Sequence, residues 1–357
     1  MRHLFVLLLC CHVGSSYGVN AAEGGKQLDE IVQRHKEFAV SRIKDQDSAV
    51  ASTALDALCT LDPAIYLDQL RDKLDLPLTD PPAFDLVALV HLIGRATPND
   101  LDRVRTIIQK AALKGEQERK KEPFDANAAM IESFALEVLL ASRDAEAVRF
   151  ATAYLEELVK RNPEPGIAQM DFAIDLVGRF KLKSAAAIAR TNSRTELQNA
   201  LLFALAKNGE QAAIDTLQKQ VKDKKNLWAI LSDHEIVETL ALTTGQLRVL
   251  YQDGDLRIRI AAAGQLAGTG STDELRTITK VMLATADLGL ESRLHLETAL
   301  GKFGDESLIP SFDLLTLREP PIARLQTSKI IFQIVARRKS SDLLEKAGGD
   351  GKGPGKK

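Results

Sequence analysis

A segment that repeats along the chain constrains the fold more than any other feature of this sequence. The clearest copy opens at Asp255, continues through an alanine-rich stretch and ends at Leu266-Ala-Gly-Thr-Gly270. A related ending, Ala299-Leu300-Gly301-Lys302-Phe303-Gly304, places its leucine 34 residues further on. Two helices of three or four turns, joined by short turns, occupy about this length. The repetition therefore predicts an array of helical hairpins, and the absence of period-two alternation predicts almost no β-sheet.

The leucine of this ending serves as a reference position that can be followed along the chain. Its equivalents are Leu58, Ile93, Leu140, Val177, Leu205, Leu242, Leu266, Leu300 and Ile334. The gap of 47 residues between Ile93 and Leu140 contains a charged insertion near 114–123, which we interpret as a solvated loop or a helix extension. The gap of 24 residues before Leu266 leaves too little room for a full pair of helices, so either Leu242 is misplaced or that unit is degenerate.

The segments around Asp255–Gly270 and Ala299–Asp305 resemble HEAT repeats, including the HEAT-like repeats of the PBS-lyase type. In that family the second helix opens near an Asp, continues as a hydrophobic-Arg pair and ends in Ala-Leu-Gly-x-hydrophobic-Gly-Asp. The resemblance implies an all-α fold, an α-solenoid of stacked helical hairpins forming a HEAT-like or armadillo-like superhelix. It also implies that Arg259 pairs with an acidic group of the next repeat. The residues that match structural positions of the repeat are Asp255, Arg259, Leu266, Leu300, Gly301 and Gly304.

The two ends of the chain differ from the helical part. Basic Arg2, the apolar run Leu4–Cys11 and the small residues of Val19-Asn20-Ala21 predict a secretory signal peptide over 1–21, cut near Ala21. The apolar run has about half of the roughly 20 residues that span a bilayer, so we expect no stable membrane anchor after cleavage. The Gly- and Lys-rich residues 347–357 predict a disordered tail.

The remainder, 22–346, is predicted to be one continuous solenoid whose units contact only their chain neighbours. A proline-rich stretch near 74–83 must interrupt helix and forms an irregular linker. Of 3 cysteines, 2 lie in the leader, so Cys59 alone remains and no internal disulfide can form. Its apolar neighbours indicate a small buried hydrophobe rather than a nucleophile.

Charge composition limits the class of partner. The chain has 47 Lys and Arg against 49 Asp and Glu, a net charge of −2, and removal of Arg2 with the leader gives −2 − 1 = −3. This balance argues against nucleic-acid binding. The signal peptide predicts a secreted or periplasmic protein, and such a location also argues against nucleic-acid binding.

Catalytic chemistry has little support in the sequence. Residues His35, His91, His234 and His295 are scattered, and the single dipeptide His234-Glu235 falls short of the several His-Glu dipeptides of the HEAT-like deoxyhypusine hydroxylases. We interpret Ser232, Asp233 and Glu235 as the cap of a helix with His234 in its first turn. The sequence therefore predicts no catalytic, cofactor-binding or metal-binding residue. A HEAT-like enzyme, either a metal-dependent hydroxylase or a lyase of the phycobilin type, stays as the alternative.

The leading hypothesis is an exported scaffold, monomeric, that holds another protein on a solenoid surface and needs no cofactor. Two candidate surfaces follow. Arg257 can project toward a ligand face. Lys222, Lys224 and Lys225 lead into Trp228, the only tryptophan, and form either a docking spot or a solvated helix end with Trp228 in the core.

Overall fold

A computed structural model describes residues 21–74, 83–118, 127–160, 167–191, 195–283, 290–310, 313 and 320–349. These residues form eighteen α-helices and two short 3-10 helices and contain no β-strand, which confirms the all-α prediction. None of the helices within the described ranges is long and apolar enough to cross a membrane.

The first nine helices are α1 (Ala21–Arg42), α2 (Ser48–Leu61), α3 (Pro63–Lys73), α4 (Ala83–Leu92), α5 (Pro98–Glu118), α6 (Asn127–Ala141), α7 (Ala145–Lys160), α8 (Ile167–Arg179) and α9 (Lys183–Ala189). The other nine are α10 (Gln198–Lys207), α11 (Gln211–Lys222), α12 (Leu227–Ser232), α13 (His234–Thr239), α14 (Thr244–Tyr251), α15 (Leu256–Gly268), α16 (Asp273–Leu283), α17 (Leu290–Phe303) and α18 (Pro321–Gly349). The 3-10 helices are Thr195–Leu197 and Glu306–Leu308.

Helices that follow each other in the chain pack in pairs. In addition, one helix of each pair packs on the corresponding helix of the next pair. The contacts run from α2 to α4, α6, α8 and α10, pass through the short helices α12 and α13, and continue to α15, α17 and α18. We call these helices the stacked series. The remaining helices, such as α3, α7 and α16, pack on members of this series and supply its second layer.

The stacked series returns to its start. Helix α18 packs along α2 and also contacts α1. Ile31 and Ala57 share a buried cluster with Ile330 and Ile331 of α18. The expectation that units contact only their chain neighbours is therefore wrong at the chain ends, because the apolar faces of the first and last helices cover each other.

The reference positions of the repeat lie in the core. Seven of them, Leu58, Leu140, Val177, Leu205, Leu266, Leu300 and Ile334, are buried, whereas Ile93 and Leu242 are partly buried just beyond the ends of α4 and α13. A pair of helices, α14 and α15, fits before Leu266 because α14 has only 8 residues. The unit is therefore shortened, in agreement with the alternative that it is degenerate.

The predicted irregular segments are partly described. Helix α3 ends at Lys73 and α4 begins at Ala83, so the predicted linker itself, 75–82, lies outside the described residues, as do 119–126 of the charged region and 1–20 of the leader. Helix α5 runs to Glu118, so the first part of the charged insertion is a helix extension. Helix α18 runs to Gly349, three residues into the predicted tail, and Leu343 to Ala347 are strong helix formers. Residues 350–357 lie outside the described part.

Candidate binding cleft

The repeat positions of α15 and α17 have structural contacts. Asp255 caps α15 by accepting a hydrogen bond from the backbone N–H of Arg257 at 2.9 Å. Leu266 and Leu300 are fully buried. A Cβ atom on Gly301 would overlap the side-chain amide of Gln333 in α18, and one on Gly304 would lie 2.6 Å from the carbonyl oxygen of Leu300. Gly301 therefore lies in the close contact of α17 with α18, whereas Gly304 lies against the end of its own helix, α17.

Arg259 does not pair as the resemblance implies, and Arg257 contacts the residue that caps its own helix. The guanidinium of Arg259 lies 5.5 Å from the ring centre of Tyr251, and none of the described acidic residues pairs with it. A cation over an aromatic face is stabilised without a carboxylate, which gives the physical reason. Nη2 of Arg257 lies 2.9 Å from Oδ2 of Asp255, the residue that caps α15, and a role of Arg257 at a ligand face stays a prediction.

The predicted basic docking spot consists of three exposed lysines and a half-buried tryptophan. Lys222, Lys224 and Lys225 are exposed at the end of α11 and just after it, and Nζ of Lys224 lies 3.2 Å from Oδ2 of Asp253. Trp228 is half-buried on α12 and lines a cleft that none of these lysines lines. The lysines therefore do not line the cleft, and Trp228 is half-buried rather than enclosed in the core.

The cleft that Trp228 lines has a volume of about 610 Å³, and an adjoining hollow of about 350 Å³ shares four of its residues. We call the two together the cleft. It is built by α8, α10, α12, α13 and the end of α17, so residues far apart in sequence meet there. Its apolar lining is Phe172, Ala200, Phe203, Ala204, Trp228 and Ala229. Its charged lining is Asp171, Asp175, Arg179, Lys207, Asp233, Glu235 and Lys302, with His234 beside them.

Lys207, the last residue of α10, is the centre of the charged lining. Its side chain is only 3% exposed, and its Nζ lies 2.7 Å from Oδ2 of Asp233, 3.7 Å from Asp175 and 3.8 Å from Glu235. A buried ammonium requires such partners, because an unpaired charge in the interior is strongly destabilising. Asp233 has a second role, since its other oxygen accepts from the backbone N–H of Ile236 at 3.1 Å and caps α13.

Two carboxylates project from one face of α8. Asp171 and Asp175 are one helical turn apart, and both are exposed. Asp171 has no hydrogen bond or ion pair with any residue of the described ranges. Partial burial of its carboxyl group, followed by the negative charge of Asp175, raises the pKa of Asp171. Asp175 lies 3.6 Å from Nη1 of Arg179, which also binds Glu137 of α6. Burial raises the pKa of Glu137 although Arg179 opposes the effect.

His234 begins α13, as its interpretation as a first-turn residue predicted. The cap of that helix is Asp233 alone, because the Ser232 hydroxyl instead donates to the carbonyl of Trp228 at 2.8 Å. Nδ1 of His234 lies 2.7 Å from the side-chain oxygen of Gln265. Within the described ranges, no group of three or more His, Cys, Asp or Glu side chains is placed to hold a metal ion.

The sequence pattern does not indicate Lys207, Asp171 or Asp175 as site residues. A lysine ending a helix and acids at a spacing of four are typical of solvated helix faces. Only the packing of α10 on α8 brings them together around Phe203. Comparison of the chain with models of protein families, with curated proteins and with solved structures finds no match.

Proposed function

We propose that this chain is an exported binding module that holds a segment of another protein in the cleft. The observation that carries the proposal is the set of half-buried aromatic side chains in the cleft. Aromatic residues make up only 5% of the chain, yet Phe172, Phe203 and Trp228 all line the cleft. Large aromatic side chains in a concave, largely apolar site are typical of residues that anchor a protein partner.

We propose further that the fold is a HEAT-like α-solenoid whose last helix has closed onto its first. Paired helices, a stacked series and the close approach of small residues between stacked helices support this architecture. In such an arrangement the helices that carry the cleft residues pack between neighbouring helices of the stacked series. This packing keeps a binding site in a fixed geometry. The partner is again another protein. The proposed binding surface is now the cleft, not the basic stretch of Lys222, Lys224 and Lys225.

Export is the third part of the proposal and rests on the predicted signal peptide alone. Cleavage near Ala21 leaves a chain that begins close to the start of α1. Mass spectrometry of the native protein tests this part. We expect an N-terminus near Ala22, and an intact Met1 in the native protein would contradict it.

Retention of a native partner tests the binding function. We expect the wild-type protein, purified from its native envelope fraction, to retain an identifiable protein that the Phe203→Ala and Trp228→Ala variants lose. Val249→Ala is the matched control, because Val249 is 72% exposed on α14 and lies outside the cleft lining. Thermal melts of each variant separate loss of binding from loss of folding. A partner retained equally by all four proteins would contradict a role for the cleft.

A further inference from the structure

The charges around the cleft define what kind of segment it can accept. Its lining contains four acidic residues, Asp171, Asp175, Asp233 and Glu235, and three basic ones, Arg179, Lys207 and Lys302. With Glu137, which binds Arg179, the sum is 3 − 5 = −2. The lining is therefore acidic overall.

The exposed charges of the lining are acidic as well, because Asp171, Asp175 and Glu235 are exposed against Lys302 as the exposed cation. The side chain of Lys207 is 3% exposed, whereas those of Asp175 and Glu235 are 48% and 49% exposed. Lys207 thus lies beneath the carboxylates that it neutralises, and solvent or a ligand meets the carboxylates first. Arg179 is directed toward Glu137 and Asp175 and is likewise neutralised within the protein.

Asp171 is the carboxylate that no described residue neutralises. It stands one turn from Asp175, and like charges at this spacing destabilise a helix. Burial and, after it, the negative charge of Asp175 raise the pKa of Asp171. Lys207, which lines this part of the cleft, lies 3.7 Å from Asp175, but no described residue pairs with Asp171. A further cationic group beside Asp171 would therefore reduce its repulsion from Asp175.

We infer that the partner segment carries a lysine or arginine whose cationic group binds between Asp171 and Asp175. The apolar stem of such a side chain would pack on Phe172 and Phe203, which line the same hollow. Long basic side chains combine an apolar stem with a charged end, and an aromatic face attracts the cation in addition. This inference rests on the proposed function and adds the chemistry of the partner to it.

The charge of the cleft also defines what it rejects. An acidic segment would place a further negative charge beside Asp171 and Asp175 with no accessible cation on that side of the hollow. An apolar segment would pack on the aromatic side chains but would leave the repulsion between the two carboxylates in place. We therefore expect charge selectivity rather than simple hydrophobic binding.

Three capped nonapeptides of alanine and serine test the inference with the full-length protein. One carries three lysines, one carries three glutamates and one carries three norleucines. Fluorescence of Trp228, the only tryptophan, reports occupancy of the cleft directly, and calorimetry gives the affinity. We expect the lysine peptide alone to change the Trp228 emission, with an affinity that falls as salt concentration rises.

Variants distinguish a local site from general electrostatic attraction. Replacing both Asp171 and Asp175 with Asn should weaken binding of the lysine peptide at least tenfold. The double variant Asp68→Asn, Asp102→Asn removes the same net charge from side chains that are 82% and 78% exposed on α3 and α5, and it should leave the affinity unchanged. Thermal melts verify that both proteins are folded.

Each contrary outcome has a defined meaning. Equal binding of the glutamate peptide, undiminished binding by the Asp171/Asp175 variant, or no binding of the lysine peptide would overturn the inference. A Trp228 emission that shifts only when residues 350–357 are deleted would assign the cleft to the lysines of the chain's own end, and this too would overturn it. Retention of the native partner by Phe203→Ala and Trp228→Ala would instead overturn the proposed function, so the two failures are distinguishable.

Discussion

Gly178 of α8 lies directly against Ala204 of α10. A Cβ atom on Gly178 would stand 2.8 Å from the Cα atom of Ala204 and 3.2 Å from both its Cβ atom and the Cδ atom of Lys207. Because the obstacle includes backbone, it cannot rotate away. The same two helices carry Asp175 and Lys207, so this contact sets the spacing across the floor of the cleft.

Gly178→Ala should therefore destabilise the protein by about 1–3 kcal/mol, the usual cost of overpacking a well-filled contact. Gly115→Ala is the control, because its Cβ atom would meet only the Ala128 side chain at an ordinary 3.7 Å. That substitution should be neutral or stabilise α5 by up to about 1 kcal/mol. Denaturant unfolding of both variants measures the difference, and equal free energies of unfolding would show that α8 and α10 are further apart.

Leu266→Ala and Leu300→Ala should each cost about 2–5 kcal/mol, because a buried leucine leaves a cavity that the surrounding helices fill only partly. Both side chains are 0% exposed at the reference position of the repeat. Leu113→Ala is the matched control, since Leu113 is 62% exposed on α5 and its loss should stay within about 0.5 kcal/mol. Losses at 266 and 300 no larger than at 113 would mean that the register of the repeat is wrong.

How far the fold could be predicted depends on the range of the interactions involved. The register around Leu266 and Leu300 is local, because the spacing of leucines and small residues along a helix determines which face is buried. The closure of α18 on α2 is not local. It depends on the shape accumulated over all intervening helices, and nothing in the residues around Asp56 or Lys329 indicates that they meet.

The candidate site was missed for a related reason. Trp228 is conspicuous in the sequence because it is the only tryptophan. However, Lys224 and Lys225, which lie close to it in the sequence, do not line the cleft with it. Lys207 and Asp233 come from separate helices 26 residues apart, and each alone has the pattern of a solvated or capping residue. Only the three-dimensional stacking distinguishes a buried lysine from an exposed one.

Asp56 connects the first and last helices of the stacked series. Its Oδ1 lies 2.8 Å from Nε2 of His91 on α4, and its Oδ2 accepts from Nζ of Lys329 on α18 at 2.7 Å. Burial acts to raise the pKa of Asp56, but these two partners outweigh it and hold the pKa below its ordinary value.

Lys329→Met should accordingly destabilise the protein by about 1–2 kcal/mol, a low value for a charged hydrogen bond because the lysine side chain is still 32% exposed. In the Asp56→Asn background the same substitution should cost much less, because its partner charge is already gone. Lys280→Met, at an exposed position of α16, serves as the control. Additive effects of Asp56→Asn and Lys329→Met would show that the two side chains do not interact in solution.

Cys59 should be chemically inert in the folded protein. Its side chain is fully buried on α2, and burial raises the pKa of its thiol to about 11. Since the thiolate is the reactive species, iodoacetamide should alkylate Cys59 very slowly at pH 8 under native conditions and rapidly in denaturant. Mass spectrometry of the peptide that contains Cys59 follows the reaction, and equally fast labelling in both conditions would place the thiol at the surface.

His35 should make stability depend on pH near neutrality. The ring is 1% exposed between α1 and α18, with Nδ1 2.7 Å from the hydroxyl of Ser328 and Nε2 3.2 Å from Asp313. Burial lowers the pKa of His35 below 6.5, and the positive charges of Arg324 and Arg34 act in the same direction against the opposing Asp313. The unfolded chain therefore binds more protons than the folded one in the pH range between the lowered pKa and 6.5.

The free energy of unfolding should consequently fall as pH decreases below 6.5, with a contribution of up to about 1.4 kcal/mol per pH unit from one group. Glu137 and Asp171 have raised pKa values and act in the opposite sense at lower pH, so the useful quantity is the difference between wild type and His35→Gln. Urea unfolding of both proteins between pH 5 and 8 gives this difference. We expect wild type to lose stability relative to His35→Gln on acidification through this range. In wild type, the unfolded chain binds a proton at His35 more readily than the folded protein does, whereas the variant has no titratable group at this position. A difference that is constant with pH would mean that water reaches the ring between α1 and α18.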